Sequence, residues 1–308
     1  MPVRPAVFRG LAAALLIGTA LSAAACSSTT AASAPKAKAS PSPSGMSDDM
    51  MMDMAGIPKV PAPAEAAPQG TGLAGSDNGY VYLPAEQSLP ANTPADFDFH
   101  ITGPDDHALT RYQPYESKLV VFYLIRSDLT GYRILDPVMH EDGTWTVAMP
   151  ALPPGSYRTY VTFAAPDSSQ GTPLLYALSK ALTVQGKATD TALPAAASST
   201  SVDGYQLTLS GKHLTVNSAT SLSLDVTKDG KPVSYFQRYL DGYAHLVAFH
   251  AGDGAFAHIL STGRDGGPGA SGPLTAQTQF PERGAWRVFV QFEIGDTMHT
   301  TAFTVNVT

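Results

Sequence analysis

From Tyr80 onward, apolar and polar residues alternate along the chain in short runs. Phe97, Phe99 and Ile101 share one parity, with Asp98 and His100 on the other. Tyr157, Thr159, Val161 and Phe163 alternate in the same way with Arg158, Tyr160 and Thr162. A period of two over five to eight residues predicts β-strands with one buried face. Such runs recur to the C-terminus, separated by Gly, Pro, Asp and Asn, and no long stretch carries a helical apolar period. Many short strands at regular spacing predict an all-β protein built from sandwiches.

Before Tyr80 the texture differs. Residues 27–76 are dominated by Ala, Ser, Pro and Gly, as in Ser40-Pro-Ser-Pro-Ser-Gly45. Such a segment cannot bury enough apolar surface to offset the entropy of ordering it, so a disordered tether is expected. A second Ala/Ser/Thr stretch, 187–201, reads as a linker. The expected organisation is an export signal over 1–25, a tether over 26–76, a β-sandwich over 77–186, the linker over 187–201 and a second β-sandwich over 202–308. Each sandwich has about the size of an immunoglobulin-like or cupredoxin-like module.

The two halves read as copies of each other. Phe97-Asp-Phe-His-Ile101 matches Leu222-Ser-Leu-Asp-Val226, and Tyr112-Gln-Pro-Tyr115 matches Phe236-Gln-Arg-Tyr239. The strand from Leu119 matches the strand from His245, and Arg133-Ile-Leu135 matches His258-Ile-Leu260. Gly155-Ser-Tyr-Arg-Thr-Tyr-Val-Thr-Phe163 matches Gly284-Ala-Trp-Arg-Val-Phe-Val-Gln-Phe292. Five segments in one shared order imply a shared strand order.

The N-terminus supplies an address. Arg4 and Arg9 precede an apolar run over 10–25 that is shorter than the roughly 20 residues needed to cross a bilayer. This is the arrangement of an export signal. Cys26 follows directly and is the only cysteine in the chain. The stretch resembles a bacterial lipobox, with Ala23 where a branched apolar residue is usual. The expectation is lipidation at Cys26 and a cell-membrane location on the extracytoplasmic face. Two acyl chains on one residue suffice for stable anchoring.

The remaining composition narrows the chemistry. The formal charge is −7, from 19 basic and 26 acidic residues, with no basic stripe, so nucleic acid is not an expected partner. With one cysteine, neither a disulfide nor a thiolate zinc site can form within the chain. There is no Gly-x-Ser-x-Gly, no His-Glu-x-x-His, no phosphate loop and no dinucleotide fingerprint, so no enzymatic activity is expected. Histidines on strands of the second copy, His245, His258 and His299, are the candidate metal ligands, because three imidazoles suit copper or zinc. His250 has the opposite parity from His245 and should not join them. Met50, Met51, Met52 and Met54 form a second candidate, since thioethers favour copper(I).

Around these histidines the chain resembles a group of secreted bacterial two-domain β-sandwich lipoproteins labelled heavy-metal-binding. Tyr239-Leu-Asp-Gly-Tyr-Ala-His-Leu-Val, Ala257-His-Ile-Leu260 and Met298-His-Thr-Thr-Ala302 carry the resemblance, which covers residues 95–308. Members of the group show Gly-His-Leu-Val, His-x-His-Pro and Val-His-Thr-Ala. Leu260 stands where the second histidine of His-x-His-Pro falls, and the first copy reads Ile134-Leu-Asp-Pro137 there. The resemblance implies metal binding, with copper as the expected ion, through His245, His258 and His299. The alternative is a tethered protein-binding or scaffold module without metal, meeting another envelope protein through loops such as 263–272.

Overall fold

The structure is a computed structural model that describes residue 68 and residues 70–166, 173–211, 213–240, 242–264 and 272–308. The expected signal, Cys26 and the methionines at 50, 51, 52 and 54 lie outside the described residues, as does 265–271 of the glycine-rich loop. Among the described residues every regular element is a strand. The all-β expectation holds.

The first sandwich contains β1 (Ser76–Asp77), β2 (Tyr80–Pro84), β3 (Ser88–Leu89), β4 (Ala95–Thr102), β5 (Val120–Arg126), β6 (Arg133–Leu135), β7 (Val138–Met139), β8 (Trp145–Met149), β9 (Gly155–Pro166) and β10 (Pro173–Val184). They form two sheets, β1-β2-β4-β8-β7 and β3-β10-β9-β5-β6. The alternating positions meet between these sheets. Phe97, Phe99 and Trp145 from one face Phe122, Val161 and Phe163 from the other.

The second sandwich contains β11 (Ser199–Val202), β12 (Tyr205–Gly211), β13 (Thr220–Lys228), β14 (Lys231–Pro232), β15 (His245–His250), β16 (Phe256–Arg264), β17 (Leu274–Thr278), β18 (Gly284–Ile294) and β19 (Thr297–Val307). Here one sheet, β11-β12-β13-β17-β16-β15-β18-β19, folds over on itself, with β14 on β13. The first half of β16 pairs with β15 and its second half with β17, with a register shift between Ser261 and Gly263. A bulge lets one strand belong to both layers. In the first copy the same place holds Asp136-Pro137, and proline has no N–H for the ladder. The strand is therefore cut into β6, which pairs with β5, and β7, which pairs with β8.

Tight turns fix the hairpins. Asn78 and Gly79 join β1 to β2 with φ of 48° and 83°, and Asp203 and Gly204 join β11 to β12 with 49° and 81°. Two residues with positive φ form the turn whose twist matches antiparallel strands.

The two sandwiches pack on each other. Val121, Tyr123, Ile125 and Tyr160 of the first meet Val247, Phe249, Phe256 and Phe289 of the second in one buried cluster. Tyr160 donates its hydroxyl to the Gly254 carbonyl across this seam. Register shows why the contact is symmetric. Val121 faces Thr162 and Tyr123 faces Tyr160 in the first copy, as His245 faces Gln291 and Val247 faces Phe289 in the second. Tyr132 stacks on Phe289 with centroids 4.4 Å apart, and its counterpart Phe256 lies 5.7 Å from Tyr160, the counterpart of Phe289. Reciprocal contacts of this kind define a two-fold relation between the copies.

This register corrects the sequence match in two places. His245 corresponds to Val121 rather than Leu119. His258, opposite Val247, corresponds to Ile134, opposite Tyr123, as the motif alignment on Ile134-Leu-Asp-Pro137 has it and not to Arg133 as the segment match has it.

The tether and linker also differ from expectation at their ends. Residues 71–75, read as tether, are bound into the fold: Phe256 N donates to Thr71 O at 2.7 Å and Ser179 N to Ala74 O at 2.9 Å. Gly72 has φ of 65°, and a Cβ there would come within 2.9 Å of the Phe256 Cβ, so only glycine fits that crossing. In the linker, Arg126 holds Thr189 O at 2.9 Å, Ala197 N donates to Thr304 O at 3.0 Å, and β11 begins at Ser199.

Phe249 is wholly buried in the seam. Phe249→Ala is expected to lower unfolding stability by about 3–5 kcal/mol. Trp145 and Trp286 sit in the first and second cores and report each sandwich separately. In single-tryptophan versions followed by urea titration, both reporters should shift to lower denaturant. A shift of the Trp286 transition alone would show that the seam does not support the first sandwich.

Candidate metal centre

On β15, parity sends Leu246 and Ala248 into the second sandwich's own core and His245, Val247 and Phe249 to the seam. On β16, Ala257 and Ile259 point inward, which leaves Phe256 and His258 on the seam side. Because His258 lies opposite Val247, it is the diagonal neighbour of His245, close enough for side chains to share a partner. The ring centroids are 6.1 Å apart.

The shared partner comes from the first sandwich. Glu116 sits in the turn before β5, which is closed by Tyr115 N to Lys118 O at 2.8 Å and Lys118 N to Tyr115 O at 2.9 Å. Glu116 and Ser117 have φ of 50° and 60°, a left-handed region that costs a non-glycine residue about 1–2 kcal/mol. The turn aims the carboxylate across the seam. His258 Nε2 lies 3.0 Å from Glu116 Oε1, and His245 Nε2 lies 3.6 Å from Glu116 Oε2. The side chains of His245, His258 and Glu116 are 2%, 0% and 11% exposed. Two hydroxyls adjoin the same nitrogens: Tyr115 Oη is 3.4 Å from His258 Nε2, and Tyr123 Oη is 3.4 Å from His245 Nε2.

The charges follow from this packing. Burial by itself would raise the Glu116 carboxyl, but His258 and then His245 outweigh it and hold the group well below the usual carboxylate range. Burial, followed by the Glu116 charge, pushes the Tyr115 and Tyr123 phenols upward, so both stay protonated at neutral pH.

The three residues fit a metal ion. Each offers a ligand atom, and these atoms lie within 4.8 Å of one another. Two ligands of a tetrahedral ion at about 2.0–2.1 Å are roughly 3.3 Å apart. The 3.0 and 3.6 Å separations, one to each carboxylate oxygen, lie near that spacing. Glu116 Oε2 is buried with no hydrogen-bond donor among the described residues. The Nδ1 atoms of both rings are buried without partners too, whichever tautomer is present, so the fit rests on the Nε2 side.

The structure therefore brings together two of the three expected histidines and adds a carboxylate. His299 does not join them. It pairs with Phe292, next to the Gln291 that faces His245, so it lies on the other face of the sheet. There its Nδ1 is 2.7 Å from Asp203 Oδ2, and its ring packs on Tyr205 and Phe292. His250 stays apart, as its parity predicts. Its Nδ1 contacts Asp253 at 2.8 Å and its Nε2 the Arg283 carbonyl at 3.0 Å, so both ring nitrogens are engaged locally.

Sequence reasoning missed Glu116, although a signal was present. The two pre-strand turns match as Tyr115-Glu116 and Tyr239-Leu240, and Leu240 repeats the left-handed conformation with φ of 48°. A carboxylate standing where the sister copy has leucine, just before the seam strand, marks a position not chosen for packing.

A family described as a domain of unknown function (DUF8832) matches residues 200–308, the second sandwich. No curated protein matches the sequence. Among solved structures, the chain is similar to FdeC, an Escherichia coli adhesin, at 13% identity and TM-score 0.24, over 76% of this chain and 65% of that one. It is similar to domains 4 and 5 of the S-layer protein SbsC at 11% identity and TM-score 0.22, over 74% and 96% of the two chains. It is also similar to Salmonella alpha-2-macroglobulin at 11% identity and TM-score 0.26, over 78% of this chain and 16% of that one. At such identities a likeness says nothing about ligand or partner.

Proposed function

We propose that this chain is a non-enzymatic binding module of the cell envelope, anchored through Cys26, whose folded part binds one divalent transition-metal ion at Glu116, His245 and His258. The observation that carries the reading is the convergence of two imidazole Nε2 atoms from adjacent strands on one buried carboxylate of the other sandwich. A further observation supports it. The counterpart positions of this cluster, Leu240, Val121 and Ile134, are all apolar. An apolar seam is thus compatible with the fold, and a buried ionic cluster is seldom the most stabilising choice. Two nitrogens and one oxygen suit a borderline ion, copper(II) ahead of zinc(II) in intrinsic affinity, rather than copper(I). The methionine group at 50–54 is the separate thioether candidate for copper(I).

A second reading is a metal-free module in which the same residues clasp the two sandwiches, with envelope proteins as partners. It is favoured by the His258–Glu116 contact at 3.0 Å, a charge-assisted hydrogen bond that spans the seam without an ion.

Calorimetric titration of the full chain separates the two. The metal reading expects one copper(II) or zinc(II) per chain, with affinity reduced at least about a hundredfold in His245→Ala or Glu116→Ala, beyond the 10–100-fold typical of outer-shell changes. His299→Ala should leave affinity and stoichiometry unchanged. Equal affinity in the parent and in His245→Ala would remove the centre from consideration.

The clasp makes a pH prediction. The folded Glu116 carboxyl lies below its unfolded value, so its contribution to stability is complete above about pH 4.3 and fades as the pH falls below that. Urea midpoints measured across this range should drop for the parent and drop less steeply for Glu116→Gln. Parallel slopes would mean that the carboxylate is not held by the imidazoles.

For the anchor, Cys26→Ala is expected to move the protein from the membrane fraction to the soluble fraction of cells. An unchanged distribution would refute lipidation at that residue.

A further inference from the structure

A cavity of about 320 Å³ opens beside the centre. Tyr115, Glu116 and His245 line it, while His258 does not. Any ion held by the three donors would therefore be enclosed on the His258 side and reachable from the cavity. The 11% exposure of the Glu116 side chain is consistent with such access. The other walls are mostly apolar, with Leu240, Ala244 and Leu260 among them. Leu260 shares the parity of His258, two residues earlier on β16, and presents no donor atom where a fourth protein ligand could stand.

We propose that the centre keeps an exchangeable coordination position facing this cavity, and that a short-chain monocarboxylate binds there. The inference rests on the metal reading above. Charge selects the ligand class. A divalent ion with one carboxylate and two neutral imidazoles leaves a net charge of about +1 in a largely buried place, where a monoanion is the complement that restores neutrality. Without the ion, Glu116 lines the cavity and repels the same anion, so binding is metal-dependent. The protonated Tyr115 hydroxyl, which lines the cavity beside the His258 Nε2, can donate to the anion. The apolar walls fit a short alkyl chain, and the volume lies at the small end of ligand sites.

The full chain loaded with cobalt(II) tests this, because the visible spectrum of that ion reports its coordination. Loading is measured first, by stoichiometry in the parent and in His245→Ala. Acetate and butyrate are then titrated. Two extra buried methylenes should make butyrate bind about tenfold tighter than acetate, with a saturable spectral change for each. Leu260→Trp, which fills the cavity, should weaken butyrate at least about tenfold while leaving the cobalt stoichiometry unchanged. Leu260→His, which adds a ligand on the same face, should tighten cobalt binding and abolish the response to either carboxylate. A parent that loads cobalt at the centre but shows no spectral response to butyrate overturns the open position and leaves the metal reading standing. A parent that loads none, or loads equally in His245→Ala, overturns both.

Discussion

The structure depends on burying the same sheet face twice. In an isolated sandwich a strand hides one parity in its own core and offers the other to water. Here β5, β9, β15 and β18 have both parities covered, because the outer face of one sandwich is closed by the outer face of the other. Aromatic residues supply most of the contact, and each large side chain removed from water contributes about 1.5–3 kcal/mol. The strap at 71–75 and the bound linker hold the same arrangement from the edges.

The site is a consequence of that burial. A histidine at a seam position must leave water, and its ring nitrogens need partners. His245 and His258 meet this demand at Nε2, and only there among the described residues, through a carboxylate that arrives from the other copy. It is carried by a strained turn whose sister turn carries leucine. A symmetric contact between duplicated domains offers each position twice. One of the two versions has become ionic, while the other, at Leu240, Val121 and Ile134, has stayed apolar. The asymmetry, more than the presence of histidine, is what singles the place out as a candidate site.

Much of the architecture was legible from the residues. Period-two alternation located the strands, Gly, Pro, Asp and Asn marked the breaks between them, and the shared order of segments revealed the duplication. The seam also left a trace, since Val120-Val-Phe-Tyr-Leu-Ile125 is an uninterrupted apolar run, the pattern of a strand buried on both faces. Sequence matching slipped by one or two residues at the histidine strands, because a run of apolar residues on both faces fits several registers about equally well.

What the sequence by itself determined was local: which stretches are strands, where the chain turns, which residues share a parity, and that His250 opposes His245. Parity relates only residues on one strand, however. Whether His299 shares a face with His245 depends on the register of β15 against β18 and of β18 against β19, and the ladder places His299 beside Phe292, on the inner face. Glu116 depends on something further still, the docking of one sandwich on the other. It lies well over one hundred residues from either histidine, and hydrophobic contact across the seam, which no local pattern encodes, brings it to them. The strands belong to the sequence. The centre belongs to the seam, since its donors come from two domains and converge only once both outer faces have left water.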